Sequence, residues 1–256
     1  MSAADLAPRP GAAPIVDRVR AQAQLEARLL LRNGEQLLLT MILPTLILIG
    51  VSRLQIGDST PAYRIALAAP AVLGVAVMST AFTGQAIATG FERRYGVLER
   101  LGMTPLGRGG LLAGKTTAIL AVEAIQIALL SAVAVALGWR PEASPAGLVA
   151  ALLLLLLGTA ALSALGLLMA GTLRAEATLA AANIVWLVSV AAGGVVEPLD
   201  DGTSTTGRAL ELLPLGALVA GLRTAFDGTW PWLDGCVLAV WLAAAGVAAM
   251  RWFRWD

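Results

Sequence analysis

The chain has 256 residues, 58% of them hydrophobic and 14% charged, with a net charge of +1. Soluble domains run at about 45–50% apolar and about 25% charged, so the composition excludes an ordinary soluble domain. The near-zero net charge also removes any global field that would draw in nucleic acid. There is no histidine, which removes Ser-His triads, His-ligated metals and His-based proton switches together. The single cysteine, Cys236, lies in an apolar run; it has no partner for an internal disulfide, and one thiol does not make a zinc site.

Residues 1–14 (MSAADLAPRPGAAP) lack an apolar h-region and are expected to form a disordered cytoplasmic tail without a cleavable signal. Residues 15–34 then alternate apolar and charged positions at helical spacing. Val16, Val19, Ala23, Ala27 and Leu30 share one face, and Arg20, Gln24, Arg28 and Arg32 recur every four residues on another. This predicts an amphipathic helix with a basic stripe, suited to an anionic leaflet.

Six apolar stretches follow, each near the ~20 residues a spanning helix needs. They are expected at about 35–51, 63–83, 111–137, 145–170, 177–196 and 230–250. Pro44 predicts a kink in the first. A loop with Gln55, Gly57, Asp58 and Pro61 separates the first two, and a tight connector, Thr172 to Glu176, separates the fourth and fifth. Before the sixth lies a long loop from Glu197 to Pro231. Its apolar middle, Leu212 to Leu222, is too short to span and fits a re-entrant segment. The final RWFRWD supplies an aromatic-basic interfacial anchor. The predicted fold is therefore an all-α integral membrane protein: an N-terminal interfacial helix plus six spans.

The basic residues orient it. With both termini inside, the inner segments hold 13 of the 18 Lys and Arg, and the outer loops hold Arg53, Arg64, Arg140, Arg208 and Arg223. This positive-inside bias predicts a multi-pass protein with both ends cytoplasmic. It also places Phe91 to Leu111, the most basic and Gly-punctuated interior stretch, in the cytoplasm.

That stretch contains Gly109-x-x-x-x-Gly114-Lys115-Thr116, a letter-for-letter phosphate-loop match. The motif works where a buried strand delivers a loop to a helix N-terminus. Here MTPLGR precedes it and an apolar span follows, so glycines and the chain's only lysine at the mouth of a span explain the match. Asp200-Asp201 is a single acidic pair in an outer loop, whereas a metal-diphosphate enzyme needs two such clusters facing one cavity. Within the spans, Glu123 is costly to bury and so is expected to be functional or paired. With Gln126 and Asn183 it could line a substrate path; a helix-to-helix hydrogen bond is the other reading. Gly158, Ser163, Gly166, Gly171, Gly193 and Gly194 are expected to allow close helix packing.

Glu92-Arg93-Arg94-Tyr95-Gly96-Val97-Leu98-Glu99-Arg100-Leu101, through Thr104-Pro105-Leu106 and Gly114-Lys115, resembles the cytoplasmic signature of the type-2 ATP-binding-cassette (ABC) exporter permeases. The order of elements along nearly the whole chain is similar too. The resemblance implies a coupling helix between spans 2 and 3, with Glu92, Arg93, Arg94, Tyr95, Gly96, Glu99, Arg100, Thr104 and Pro105 meeting a separate ATPase. It implies two ATPase subunits, which bind the ATP and Mg, since this chain is expected to carry no cofactor or metal and no catalytic residues. It also implies a second permease chain, identical or homologous, in the plasma membrane. Export of a drug, antibiotic or lipid-like substrate is the expected function. The alternatives are an ion-coupled secondary transporter, which wants several intramembrane ionisable residues and an internal repeat, and an integral membrane enzyme.

Overall fold

A computed structural model describes residues 11–34, 38–53, 60–192 and 205–254. The N-terminal tail up to Pro10, most of the first loop, and Gly193, Gly194 and the Asp200-Asp201 pair lie outside the described residues. Among those described, every regular element is helical.

α1 (Ile15–Arg32) leads to a π-helical turn at Leu38–Ile42 and then α2 (Leu43–Arg53). Pro44 stands just after the π-helical turn, inside a helix that is continuous from Thr40 to Arg53. α3 (Pro61–Val77), a π-helical segment (Met78–Gly84) and α4 (Gln85–Arg94) form one continuous 34-residue helical stretch. α5 (Val97–Gly102) is short. α6 (Gly107–Ala136), α7 (Pro145–Thr172), α8 (Ala175–Ala192), α9 (Thr205–Glu211), α10 (Pro214–Phe226) and α11 (Trp232–Trp252) complete the chain.

The starts and stops follow from local chemistry. Thr60 and Ser144 each precede a proline. Their hydroxyls accept from the N–H groups of Tyr63 (3.3 Å) and Gly147 (3.0 Å), capping α3 and α7. α6 stops at Gly138, whose φ of 98° admits the left-handed turn. Trp139 then folds back, its N–H on Ala134 O, and its ring meets Phe226 edge-on at 4.8 Å.

Among the described residues, four helices are long and apolar enough to cross a membrane: 61–94, 109–136, 145–172 and 232–252. The described parts of the first and fifth expected spans, and α10, are shorter apolar helices. α3 is the most enclosed, with Ala68 through Val77 all buried. α7 packs on α11, on α10 and on the π segment. α10, the expected re-entrant segment, is a buried wedge among α3, α7 and α11. Glycines let it in. A methyl group on Gly158 would stand 2.9 Å from Leu218, and one on Gly147 would collide with the Ala225 carbonyl. Gly166 approaches the displaced carbonyls of the π segment in the same way: a Cβ there would lie 2.8 Å from Phe82 O. The expected packing role of Gly158, Gly166 and Gly171 is what these contacts show, whereas Ser163 acts through its hydroxyl. α10 and α5 occupy opposite ends of α7, which meets Ala225 at its start and Phe253 near its end.

Candidate functional site

A 34-residue helix is about 50 Å long and a 30-residue helix about 45 Å, against a hydrocarbon core of about 30 Å. The α3–α4 stretch and α6 therefore have length to project beyond a bilayer, and α5 joins their projecting ends. Two glycines make the corner. Gly96, at φ 70°, turns the chain out of α4, and Gly107, at φ 69°, turns it into α6. The phosphate-loop match at Gly109–Thr116 is wholly helical, inside α6, so most of its N–H groups serve helical bonds rather than a loop wrapped around a phosphate. α6 begins four residues before the expected Leu111 because the Gly-Arg-Gly-Gly run is already helical.

Lys115 explains the base of the corner. Its side chain is 4% exposed, and its Nζ lies 2.7 Å from Glu26 Oε1 and 2.7 Å from Glu92 Oε2. It also donates to Glu92 Oε1 at 3.0 Å. Gln22 Nε2 donates to the same Glu26 oxygen at 2.7 Å. One buried cation thus ties α1, α4 and α6 together, and the two acids outnumber it. α1 carries more than its predicted apolar stripe to this contact: Gln22 is buried against Gly114, where a Cβ would fall 2.7 Å from the Gln22 side chain.

α5 rests on a small apolar seat. Leu98 is fully buried with Leu106, Leu111, Leu167 and Phe253, and Val19 and Leu101 flank them. The C-terminus completes the seat: Arg254 N–H donates to Gly171 O at 3.1 Å. Arg93 reaches the other way. Its guanidinium donates to Ala170 O (2.9 Å) and Leu173 O (2.7 Å), the terminal carbonyls of α7. Arg94 pairs with Glu176 in the first turn of α8. The outward face of the corner is exposed: Tyr95 at 67%, Met103 at 79%, and with them Glu99, Arg100, Thr104 and Pro105. The expected coupling residues therefore divide. Glu92, Arg93 and Arg94 are bound to neighbouring helices, Gly96 shapes the turn, and Tyr95, Glu99, Arg100, Thr104 and Pro105 face outward.

A second polar group lies deeper. Glu123 is 1% exposed; one carboxylate oxygen accepts from the Thr159 hydroxyl of α7, and the other has no hydrogen-bond partner among the described residues. Gln126 donates to Thr40 O and accepts from Thr80 Oγ1 at 3.2 Å. Gln85 Oε1 accepts from Ser163 Oγ at 2.8 Å, and Ser163 meets Thr116 Oγ1 at 2.8 Å. Glu123 and Gln126 are near neighbours on α6, but Asn183 is apart. It faces outward on α8 and donates to Leu179 O at 2.8 Å. Thr80, Gln85 and Thr159 were not singled out from the sequence, and Thr116 appeared only as the last letter of the phosphate-loop match; of the four, Thr159 stands alone in an apolar run, and that isolation is the signal that finds it. Among the described residues no group of His, Cys, Asp and Glu could hold a metal ion.

No curated protein matches the chain closely enough to stand as a relative. A family profile does match, over residues 18–250, which takes in all but the first turn of α1, the corner, both polar groups and all but the end of α11. The family is described as ABC-2 family transporter protein, and a multi-pass, all-helical chain matched over so much of its length belongs to it.

Proposed function

We propose that this chain is the permease subunit of an ATP-driven exporter, and that the outward face of the corner, Tyr95 to Pro105, is where a separate ATPase subunit docks. The observation that supports this most is the contrast between that face and its base. The face is exposed and carries Tyr95, Glu99, Arg100 and Met103, while the base is fixed to α1, α4, α6, α7, α8 and the C-terminal turn. A push on α5 passes through Leu98 to the apolar seat, through Arg93 and Arg94 to the α7–α8 connector, and through Glu92–Lys115 to α1. Force on a partner-bound knob therefore reaches the helices rather than bending a loop.

In this reading ATP and Mg bind the ATPase, two ATPase copies serve two permease chains, and the complex sits in the plasma membrane with both termini cytoplasmic. The basic-residue asymmetry supports the orientation. Export of a hydrophobic or amphipathic drug, antibiotic or lipid-like substrate rests on the resemblance of the corner motif. Glu123 and Gln126 are enclosed within the single chain, so a path that uses them opens where α6 parts from α7 at Thr159.

The test is co-purification with the partner ATPase and substrate-stimulated ATP hydrolysis. Glu99→Ala with Arg100→Ala is expected to weaken association at least tenfold, and Glu142→Ala, at the opposite end, to leave it unchanged. Unaltered binding and turnover in the double variant would remove the docking role.

A further inference from the structure

We propose that the groove between α1 and α6 is a binding site for an anionic phospholipid. The groove has a volume of about 530 Å³, within the range of small-molecule sites. Its origin is in the side-chain sizes. α1 offers Val16, Val19, Ala23 and Ala27, and α6 offers Ala118 and Ala121. Where alanines face alanines the helices leave a trough instead of interdigitating. Val16 remains 71% exposed at one end, an apolar surface that nothing in the described chain covers.

The walls have no polar group to offer. The one hydroxyl among them, Thr117, is committed to Ala113 O at 2.7 Å. A peptide laid there would lose water from its backbone groups without replacement, whereas an acyl chain loses nothing. Arg20 and Gln24 stand at the rim, exposed, one helical turn apart. Arg20 has no ion pair among the described residues, although Asp17 lies three positions earlier; the other nearby acid, Glu26, is turned onto Lys115. A guanidinium fork suits a phosphate held by two hydrogen bonds, and the Gln24 amide adds a donor beside it.

An apolar trough with a free cation at its rim complements one kind of molecule: an acyl chain joined to a phosphate. The location agrees, since α6 is long and apolar enough to cross a membrane and the groove runs along it past Thr117, Ala118 and Ala121. The lipid would wedge α1 to α6 along the side that the Glu26–Lys115 pair leaves open. Neither the export reading nor the docking reading is needed for this site.

Native mass spectrometry of the full-length detergent-purified protein tests it, with 1-palmitoyl-2-oleoyl phosphatidylglycerol and its phosphatidylcholine counterpart added in turn. Phosphatidylglycerol is expected to be retained about fivefold over phosphatidylcholine, the factor one basic side chain brings beside an anionic headgroup. Arg20→Gln is expected to abolish that preference and Arg20→Lys to restore part of it. Ala121→Trp, which fills the trough from an exposed position, is expected to lower retention of both lipids. A phosphatidylglycerol with a photoactivatable acyl chain should label residues 15–27 and 117–121, and millimolar inorganic phosphate should not displace it. Equal retention of the two lipids by the wild type, labelling confined to other helices, or displacement by phosphate would each overturn the proposal. If Arg20→Gln is misfolded on size exclusion, the photolabelling of the wild type decides alone.

Discussion

Lys115 and Glu123 stand eight residues apart on α6, about 12 Å along its axis, and the fold accommodates them in opposite ways. Lys115 is met by two carboxylates from two other helices and is enclosed by them. Glu123 is met by one hydroxyl from one helix, and one of its oxygens has no donor among the described residues. The first arrangement is an electrostatic joint between three helices at the projecting end of the bundle. The second is a single directional bond between two helices in its interior. An isolated ionisable group within an apolar bundle is expensive. Opposite charges offset that cost at Lys115, whereas the deeper acid has a single hydroxyl to offset it.

The largest effect should come from breaking the joint. Lys115→Met keeps the aliphatic stem and removes the charge, leaving Glu26 and Glu92 facing each other. Removal of one partner from a buried ion cluster costs about 3 kcal/mol, read as lost unfolding free energy in denaturant titrations of the micelle-solubilised protein. Adding Glu92→Gln to Lys115→Met should recover about 1 kcal/mol, because the two changes share a partner. Stability equal to wild type in Lys115→Met would mean the joint contributes nothing and the contrast with Glu123 is only visual.

Next in size is the seat beneath the corner. Leu98→Ala should cost about 2 kcal/mol, the low end for a buried leucine, since a seat near the end of the bundle can partly collapse. The loss should be local. Amide hydrogen exchange should rise across α5 while the core of α3, around Ala71 to Val77, keeps its protection. Protection lost equally in α3 would show that the seat belongs to the main core and that the corner is not a separable element.

Much of this was legible beforehand, for reasons visible in particular residues. Apolar length gave the long helices, because no other element satisfies the backbone of such runs. The apolar stretches expected from 63 and from 145 begin within two residues of α3 and α7, whose starts are capped by Thr60 and Ser144. Mismatched context stripped the phosphate-loop pattern of meaning, and the helix through Gly109 to Thr116 agrees. What was hidden is pairing across sequence distance. Lys115 read as a basic residue at the mouth of a span, and Glu26 has nothing in the sequence to distinguish it; nothing in periodicity joins them, or adds Glu92. The same holds for Thr159, whose hydroxyl gains meaning only when α7 brings it to Glu123. The π segment was also unreadable, since Met78–Gly84 has the composition of an ordinary span and its wider turn shows only in how Gly166 sits against its carbonyls.

The smallest effects should come from the interior pair, and they separate its two readings. Thr159→Val keeps the shape and removes the donor, leaving Glu123 without a described hydrogen bond; the expected cost is about 1–2 kcal/mol. Glu123→Gln keeps an acceptor for Thr159 and removes any charge, so stability should move by less than about 1 kcal/mol. Measured on the isolated permease, that ordering means the carboxyl is held by its hydroxyl bond alone. If Glu123→Gln instead costs as much as Lys115→Met, Glu123 carries a charge met by a cation outside the described residues, and a second permease chain becomes the first place to look. The same variant then tests the path: with stability unchanged, a drop in substrate-stimulated ATP hydrolysis by Glu123→Gln would assign the carboxyl to substrate rather than to the α6–α7 contact.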